Sequence, residues 1–153
     1  MLTIRDATIE DLEDIKKLNT KIFSSNIKWD KDTVENFAST KQGEKYYTEA
    51  LQRKDGCFFV CEEDGEMVGY ANGGDKKEIG RKSRYFELDN VGVIPERLKQ
   101  GIGKELLNKV NDWAKEKGFQ KIYLNCYFAN KGAIKFYKKA GYKEIDICLE
   151  KEI

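Results

Sequence analysis

The stretch that most narrows how this chain can fold is Arg84–Glu116, where the spacing of apolar residues changes from two toward 3.6 across a pair of glycines. Its first part, RYFELDNVGVIP, is filled with valines and aromatics and stops at Pro95, which predicts a strand. Beyond the turn ERLKQGIG, Ile102, Leu106, Val110 and Trp113 recur at intervals of four, four and three. That is the apolar stripe of a helix, with Lys104, Asn108, Lys109, Asp112 and Lys115 on its other faces. A strand therefore delivers a helix start lined by Gly101 and Gly103. The first amides of a helix lack internal acceptors and carry the positive pole of its dipole, so they attract phosphate, and glycine lets a ligand approach the backbone. Two common phosphate loops fail on spelling. A Walker-type loop needs glycine where Leu98 stands and Ser or Thr where Glu105 stands, and the dinucleotide fingerprint needs a small residue at Leu106.

At 153 residues and 40% hydrophobic, the chain is sized for one domain over 1–153, with a core that needs no disulfide or metal staple. With 28 basic against 27 acidic residues, no net field draws it to nucleic acid or to a membrane surface, and neither is expected as a partner. No apolar run approaches the ~18 residues of a membrane span, and MLTIRDATIED has no signal-peptide core, so a cytoplasmic location is expected. Histidine and C-x-x-C are both absent, which argues against a zinc set and against a Cys–His nucleophile. No metal is expected, and Cys57, Cys61, Cys126 and Cys148 are expected to be buried thiols in strands.

The predicted order of elements is β-α-α-β-β-β-α-β-α-β. Leu2–Asp6 alternates as a strand, and Thr8 with Asp11 caps a helix running to about Phe23, with Ile9, Leu12, Ile15, Leu18 and Ile22 on its apolar face. Asn26–Arg53 reads as a short helix, a loop and another helix. Its aromatics, including Trp29, Phe37, Tyr46 and Tyr47, either pin the segment to the core or wall an acceptor pocket. Strands at Cys57–Glu62 and Met67–Ala71 flank the hairpin signal Asp64-Gly65, and glycine-rich Asn72–Lys82 reads as a loop. Gln120–Phe128 reads as a strand, Asn130 caps a helix closed by Gly141, and Tyr142–Glu150 alternates as a last strand. The fold class is α/β (α+β): a mixed, mostly antiparallel central sheet with helices on both faces.

Val91–Gly103, with Gln100-Gly101-Ile102-Gly103 after the strand end Val93-Ile94-Pro95, resembles the cofactor loop of the GNAT superfamily of N-acetyltransferases, Gln/Arg-x-x-Gly-x-Gly/Ala. The pattern's first position falls on Leu98, with Arg97 beside it and Gln100 two residues on. Downstream, Asn130–Tyr142 (NKGAIKFYKKAGY) resembles that family's N-x-x-A-x-x-F-Y-x-x-x-G-F/Y segment, and the two motifs stand in the right order.

The resemblance implies acetyl-CoA as co-substrate, with Val91, Gly92, Val93, Leu98, Lys99, Gln100, Gly101, Ile102, Gly103, Lys104, Asn130 and Tyr137 as its contacts. It implies direct acetyl transfer to a primary amine, either a small one such as a polyamine or aminoglycoside, or a peptide amine. Glu87 falls where family members place a general base acting through water, and Tyr137 where they place the acid that meets the CoA thiolate. By period-two counting Asp89 shares a face with Glu87, Val91 and Val93, where it would attract a cationic acceptor or be the base in Glu87's place. Trp29 is the acceptor-side aromatic, and Arg97, Lys99, Lys104 and Lys138 are the basic residues placed to meet phosphates. The assembly expected is a monomer or homodimer. Two other readings stand beside this one: a non-catalytic acyl-CoA-binding or sensing domain, and a partner-binding domain with no affinity for CoA.

Overall fold

The computed structural model describes every residue from Met1 to Ile153. Its elements are β1 (Leu2–Asp6), α1 (Leu12–Phe23), α2 (Lys41–Gln52), β2 (Gly56–Glu63), β3 (Glu66–Asp75), β4 (Tyr85–Val93), α3 (Ile102–Glu116), β5 (Lys121–Tyr123) and α4 (Lys131–Lys139). Short 3-10 turns at Ser24–Lys28 and Phe37–Ser39 fill the α1–α2 connection. The strands form one sheet in sequence order, β1-β2-β3-β4-β5; the first three pairings are antiparallel and the last is parallel. No helix is long and apolar enough to cross a membrane.

Local sequence explains most of these choices. Asp64 (φ 50°) and Gly65 (φ 85°) are successive left-handed residues, the backbone of a two-residue hairpin turn, and they set the β2–β3 register at Glu63↔Glu66. Thr8 N donates to Asp11 Oδ2 at 2.7 Å, the reciprocal cap expected ahead of α1. The stripe of α3 buries Ile102, Leu106, Leu107, Val110 and Ala114, while Trp113 packs on its flank against Phe86 with ring centroids 5.6 Å apart.

Alternation in β3 assigns the two faces of the sheet. Tyr70 meets Asn19 of α1 and Tyr47 of α2 in a buried hydrogen-bonded trio (2.6–3.1 Å), whereas the space beside Gly69 is occupied by Leu106 of α3 and Val93. Helices α1 and α2 thus cover one face and α3 the other. Gly43 marks how tightly α2 is seated, since a Cβ there would lie 1.9 Å from the Phe37 carbonyl oxygen. Gly43→Ala is expected to cost about 1–3 kcal/mol through overpacking, read as a Tm lowered by about 2–4 °C per kcal/mol. An unchanged Tm would mean that the Phe37–Ser39 turn shifts freely.

Several expectations are corrected. Asn72–Asp75 is strand rather than loop, and Asn72 is buried. The glycines there reflect close packing: a Cβ on Gly73 would sit 2.1 Å from the Glu87 carbonyl oxygen, and one on Gly74 2.0 Å from the Arg53 guanidinium carbon. The strand expected over Gln120–Phe128 pairs only at Lys121–Tyr123, because beyond Tyr123 the chain parts from β4. Tyr142–Glu150 forms no strand, and the last main-chain hydrogen bond in the molecule runs from Tyr142 N to Tyr137 O. As a result Cys126 and Cys148 are exposed. Cys57 and Cys61 are buried as expected, and burial pushes their thiols up to about 12 and about 11.

Candidate active site

The site begins where two parallel strands separate. Tyr85, Phe86 and Glu87 of β4 pair with Lys121, Ile122 and Tyr123 of β5, and the pairing then stops. Glu87 is therefore the last β4 residue held to β5, and Leu88–Val93 presents an open main-chain edge on that side. A crevice at the carboxyl ends of parallel strands is the usual place for a ligand in a sheet of this kind.

The helix start lies just past that edge. Lys99 (φ 62°) and Gly101 (φ 89°) turn the chain into α3, and the main-chain N–H groups from Lys99 to Lys104 have no acceptor in the protein. Nothing lies within 4 Å of where a Gly101 Cβ would be, so the loop is open rather than filled by its own side chains. A Cβ on Gly103 would come 3.3 Å from Phe136, so the two sequence motifs pack on each other through that glycine. A row of free amides at the positive end of a 15-residue helix suits a diphosphate. Of the four basic residues considered for phosphate contact, Arg97 is paired with Glu63 (2.6 Å) and Lys138 with Glu144, whereas Lys99 and Lys104 make no ion pair.

A cleft of about 1120 Å³ adjoins this edge, lined by Glu87, Asp89, Asn90 and Val91 of β4, Asn130, Ala133 and Tyr137 at α4, and residues of the α1–α2 connection. Glu87 and Tyr137 thus border one space. A smaller depression of about 380 Å³ on the outside of α2 has no apolar lining. Gly92 owes its missing side chain to α1, since a Cβ would fall 2.5 Å from Ile22.

The arrangement of acids differs from simple alternation. Asn72 pairs with Asn90 and Gly73 with Leu88, which leaves Asp89 as the extra residue of a β-bulge. The face reverses there: Asp89 and Asn90, though adjacent, both reach the Tyr46 hydroxyl on the α2 side, while Val93 turns to the α3 side. Period-two counting had placed Glu87, Asp89, Val91 and Val93 together, and the bulge removes Val93 from that set. Tyr46 Oη donates to Asp89 Oδ2 (3.1 Å) and accepts from the amides of Asn72 and Asn90 (both 3.1 Å). Burial raises the Tyr46 pKa, so the phenol keeps its proton as a donor. Burial also lifts the Asp89 carboxyl above its ordinary range, opposed by the Tyr46 hydrogen bond, and Arg53 stands 3.9 Å away. Glu87 has Lys76 Nζ at 3.5 Å.

Tyr137 packs against Phe136 and Tyr142, and its hydroxyl has no hydrogen-bond partner in the protein. Burial raises its pKa, so it stays protonated at neutral pH and above. Asn130 caps α4 by accepting from Ala133 N at 3.1 Å. Trp29 does not line the cleft; it ends the Ser24–Lys28 turn, with its ring beneath Lys28 Nζ (4.6 Å), and its neighbours Asn26, Ile27 and Asp30 line the space instead. Sequence reasoning missed the Tyr46–Asn72–Asn90 network and Tyr127, whose hydroxyl is 3.3 Å from that of Thr33 and ties the α1–α2 connection to the far wall. The spacing of Asn72 and Asn90 gives no signal, because their pairing exists only through the β3–β4 register.

A helix start with free amides stands beside a cleft bearing carboxylates and a phenol, an arrangement with the parts to hold a phosphate-bearing molecule next to a second one. The profile of the acetyltransferase (GNAT) family matches residues 14–142, and the chain belongs to that family. The uncharacterized N-acetyltransferase MJ1207 of Methanocaldococcus jannaschii is 30% identical over 152 residues, which is 95% of this chain and 62% of that relative, so the chain spans less than two thirds of its length. The N-alpha-acetyltransferase of Sulfurisphaera tokodaii is 26% identical over 151 residues, 94% of this chain and 81% of its own. Among solved structures, the aminoglycoside N-acetyltransferase AAC(6')-Iy in complex with CoA superposes with a TM-score of 0.77 at 18% identity, covering 100% of this chain and 95% of that one. At that identity the likeness concerns the fold.

Proposed function

We propose that this chain transfers the acetyl group of acetyl-CoA directly to a cationic primary amine seated in the cleft, with Glu87 as base and Tyr137 as acid. The observation that carries this reading is the shared cleft: a carboxylate at the point where β4 and β5 part faces the same space as an unpartnered phenol on α4. The cleft's charge supports the acceptor class. Asp30, Glu35, Glu87 and Asp89 line it and no lysine or arginine does, in a chain that holds 28 of them. Lys76 and Arg53 stand 3.5 and 3.9 Å from Glu87 and Asp89, so the acidic character of the wall comes chiefly from Asp30 and Glu35, and it favours ammonium groups over anions.

Acetyl-CoA supplies the activated thioester. The amides of Lys99–Lys104, with the Lys99 and Lys104 side chains, would hold its diphosphate, and the open edge of β4 through Val91–Val93 would align the arm that leads to the cleft. Glu87 accepts the amine's proton through a water as the nitrogen bonds to the acetyl carbon and the carbon–sulfur bond breaks. Tyr137 then donates its hydroxyl proton toward the departing thiolate, whose pKa resembles the ~8.5 of cysteine.

Tyr137→Phe is expected to lower kcat by about tenfold while leaving the KM for acetyl-CoA unchanged. Equal activity at neutral pH would remove the residue from the acid role. The function itself is tested by a free-thiol assay over polyamines, aminoglycosides, amino acids and N-terminal peptides, alongside thermal melting with acetyl-CoA. Multiply charged amines are expected to turn over, with a KM that rises with salt. Protection by acetyl-CoA without thiol release on any amine would favour a binding or sensing domain, and no protection at all would favour a partner-binding one.

A further inference from the structure

Lysine side chains are usually solvated, yet that of Lys76 is only 17% exposed, against 76% for its neighbour Lys77. Its main chain is fixed first. Lys76 N donates to Tyr85 O at 3.1 Å, which extends the β3–β4 pairing by one step, and Lys77 (φ 52°) then turns the chain away with its own N–H on Asp75 Oδ1 at 3.0 Å. Gly74, Glu87 and Tyr123 pair side by side across β3, β4 and β5, and Lys76 stands two residues past Gly74 on the same face. Its ammonium therefore arrives where β4 and β5 part. There it lies 3.1 Å from Glu78 Oε1, 3.5 Å from Glu87 Oε1 and 4.1 Å from the centre of the Tyr123 ring.

A buried cation needs such partners. Burial alone would lower the Lys76 pKa, but the Glu78 and Glu87 carboxylates outweigh it and raise the value, so the group stays charged. Tyr123, which carries the ammonium on its ring, is held in turn by its hydroxyl, which donates to Asn125 Oδ1 (2.9 Å) on the cleft wall. For Glu87 the consequence is directional. Its ion pair is made at Oε1, which leaves Oε2 to the cleft that the residue lines. A base must lie within hydrogen-bond reach of the proton it takes, directly or through one water, and a long side chain held in place beforehand loses less freedom in getting there.

We propose that Lys76 is the positioning residue of the reaction's base: its ammonium pins Glu87 by Oε1, so that Oε2 faces the water that takes the acceptor's proton. This rests on the proposed role of Glu87 as base. The proton passes from amine to water to Glu87 Oε2, and Lys76 keeps its own protons throughout. Lys76 does not line the cleft and acts through Glu87 alone.

The test is steady-state kinetics of the full chain near pH 7, with acetyl-CoA and the fastest amine of the free-thiol panel, on wild type, Lys76→Met, Glu87→Gln and the double variant. Lys76→Met is expected to lower kcat about tenfold with the KM for acetyl-CoA unchanged. Lys77→Met, the same charge change on a side chain paired with Asp55 instead, is expected within about twofold of wild type. In the Glu87→Gln background, Lys76→Met is expected to change kcat by less than about twofold, because the group it positions is already gone. A tenfold loss that persists in that background would mark a loosened fold and overturn the proposal. So would a Lys76→Met enzyme as fast as wild type where Glu87→Gln is slow, and the base assignment would then still stand. A Glu87→Gln enzyme as fast as wild type would overturn that assignment and this inference with it.

Discussion

Glu87→Gln is expected to lower kcat by about 10²–10³-fold near pH 7, and by progressively less as the pH rises, the range typical of a lost general base. An alkyl amine with a lysine-like pKa of about 10.4 is neutral in roughly one molecule in 2,500 at pH 7, a deficit of about 4.6 kcal/mol that the base must offset. Without the carboxylate, turnover tracks the neutral amine in solution and climbs about tenfold per pH unit until the amine's own pKa is reached. The wild-type profile should be flatter. Asp89→Asn is the comparison that separates the two acids. Asp89 accepts from Tyr46 and stands near Arg53, so its loss should act mainly on acceptor KM and disturb the Tyr46 network. A Glu87→Gln profile parallel to wild type, with the steep slope appearing in Asp89→Asn, would move the base to Asp89.

The second large effect concerns the loop. Gly101 sits at φ 89° with open space around it, so Gly101→Val introduces backbone strain without a clash. Strain of this kind costs on the order of 1–3 kcal/mol, and the loop escapes it by turning its amides away from their shared focus. Each 1.4 kcal/mol is about tenfold in affinity, so the KM for acetyl-CoA should rise about tenfold or more with kcat little changed. The opposite pattern, normal KM with depressed kcat, would show that the diphosphate is held elsewhere. Because α3 buries five residues whatever its first turn does, the variant is expected to stay folded.

What the sequence made legible follows from where local signals act. The spacing of Ile102, Leu106 and Val110, the Asp64-Gly65 turn and the Thr8–Asp11 cap are each settled within a few residues, and each element formed as expected. Gly101 and Gly103 could be read as an open helix start for the same reason. The bulge at Asp89 could not, because a bulge is a property of two strands, and neither β3 nor β4 shows by itself which residue will be extra. Glycines at 73 and 74 mimicked a loop because close strand packing and turns require the same missing Cβ. Trp29 was misplaced since its neighbours line the cleft and an irregular segment has no period from which to choose a face. The alternation of Ile145, Ile147 and Leu149 was visible, yet Tyr142–Glu150 forms no strand, because alternation describes one segment and a strand needs a paired neighbour.

The extra residue in β4 gives the strand two independent halves. Up to and including it, Glu87 and Asp89 border the cleft; after it, Val93 packs toward α3 and Gly92 against α1, anchoring the turn that leads to the helix start. On the proposed function, substitutions on the first half are expected to change acceptor choice while leaving the KM for acetyl-CoA in place.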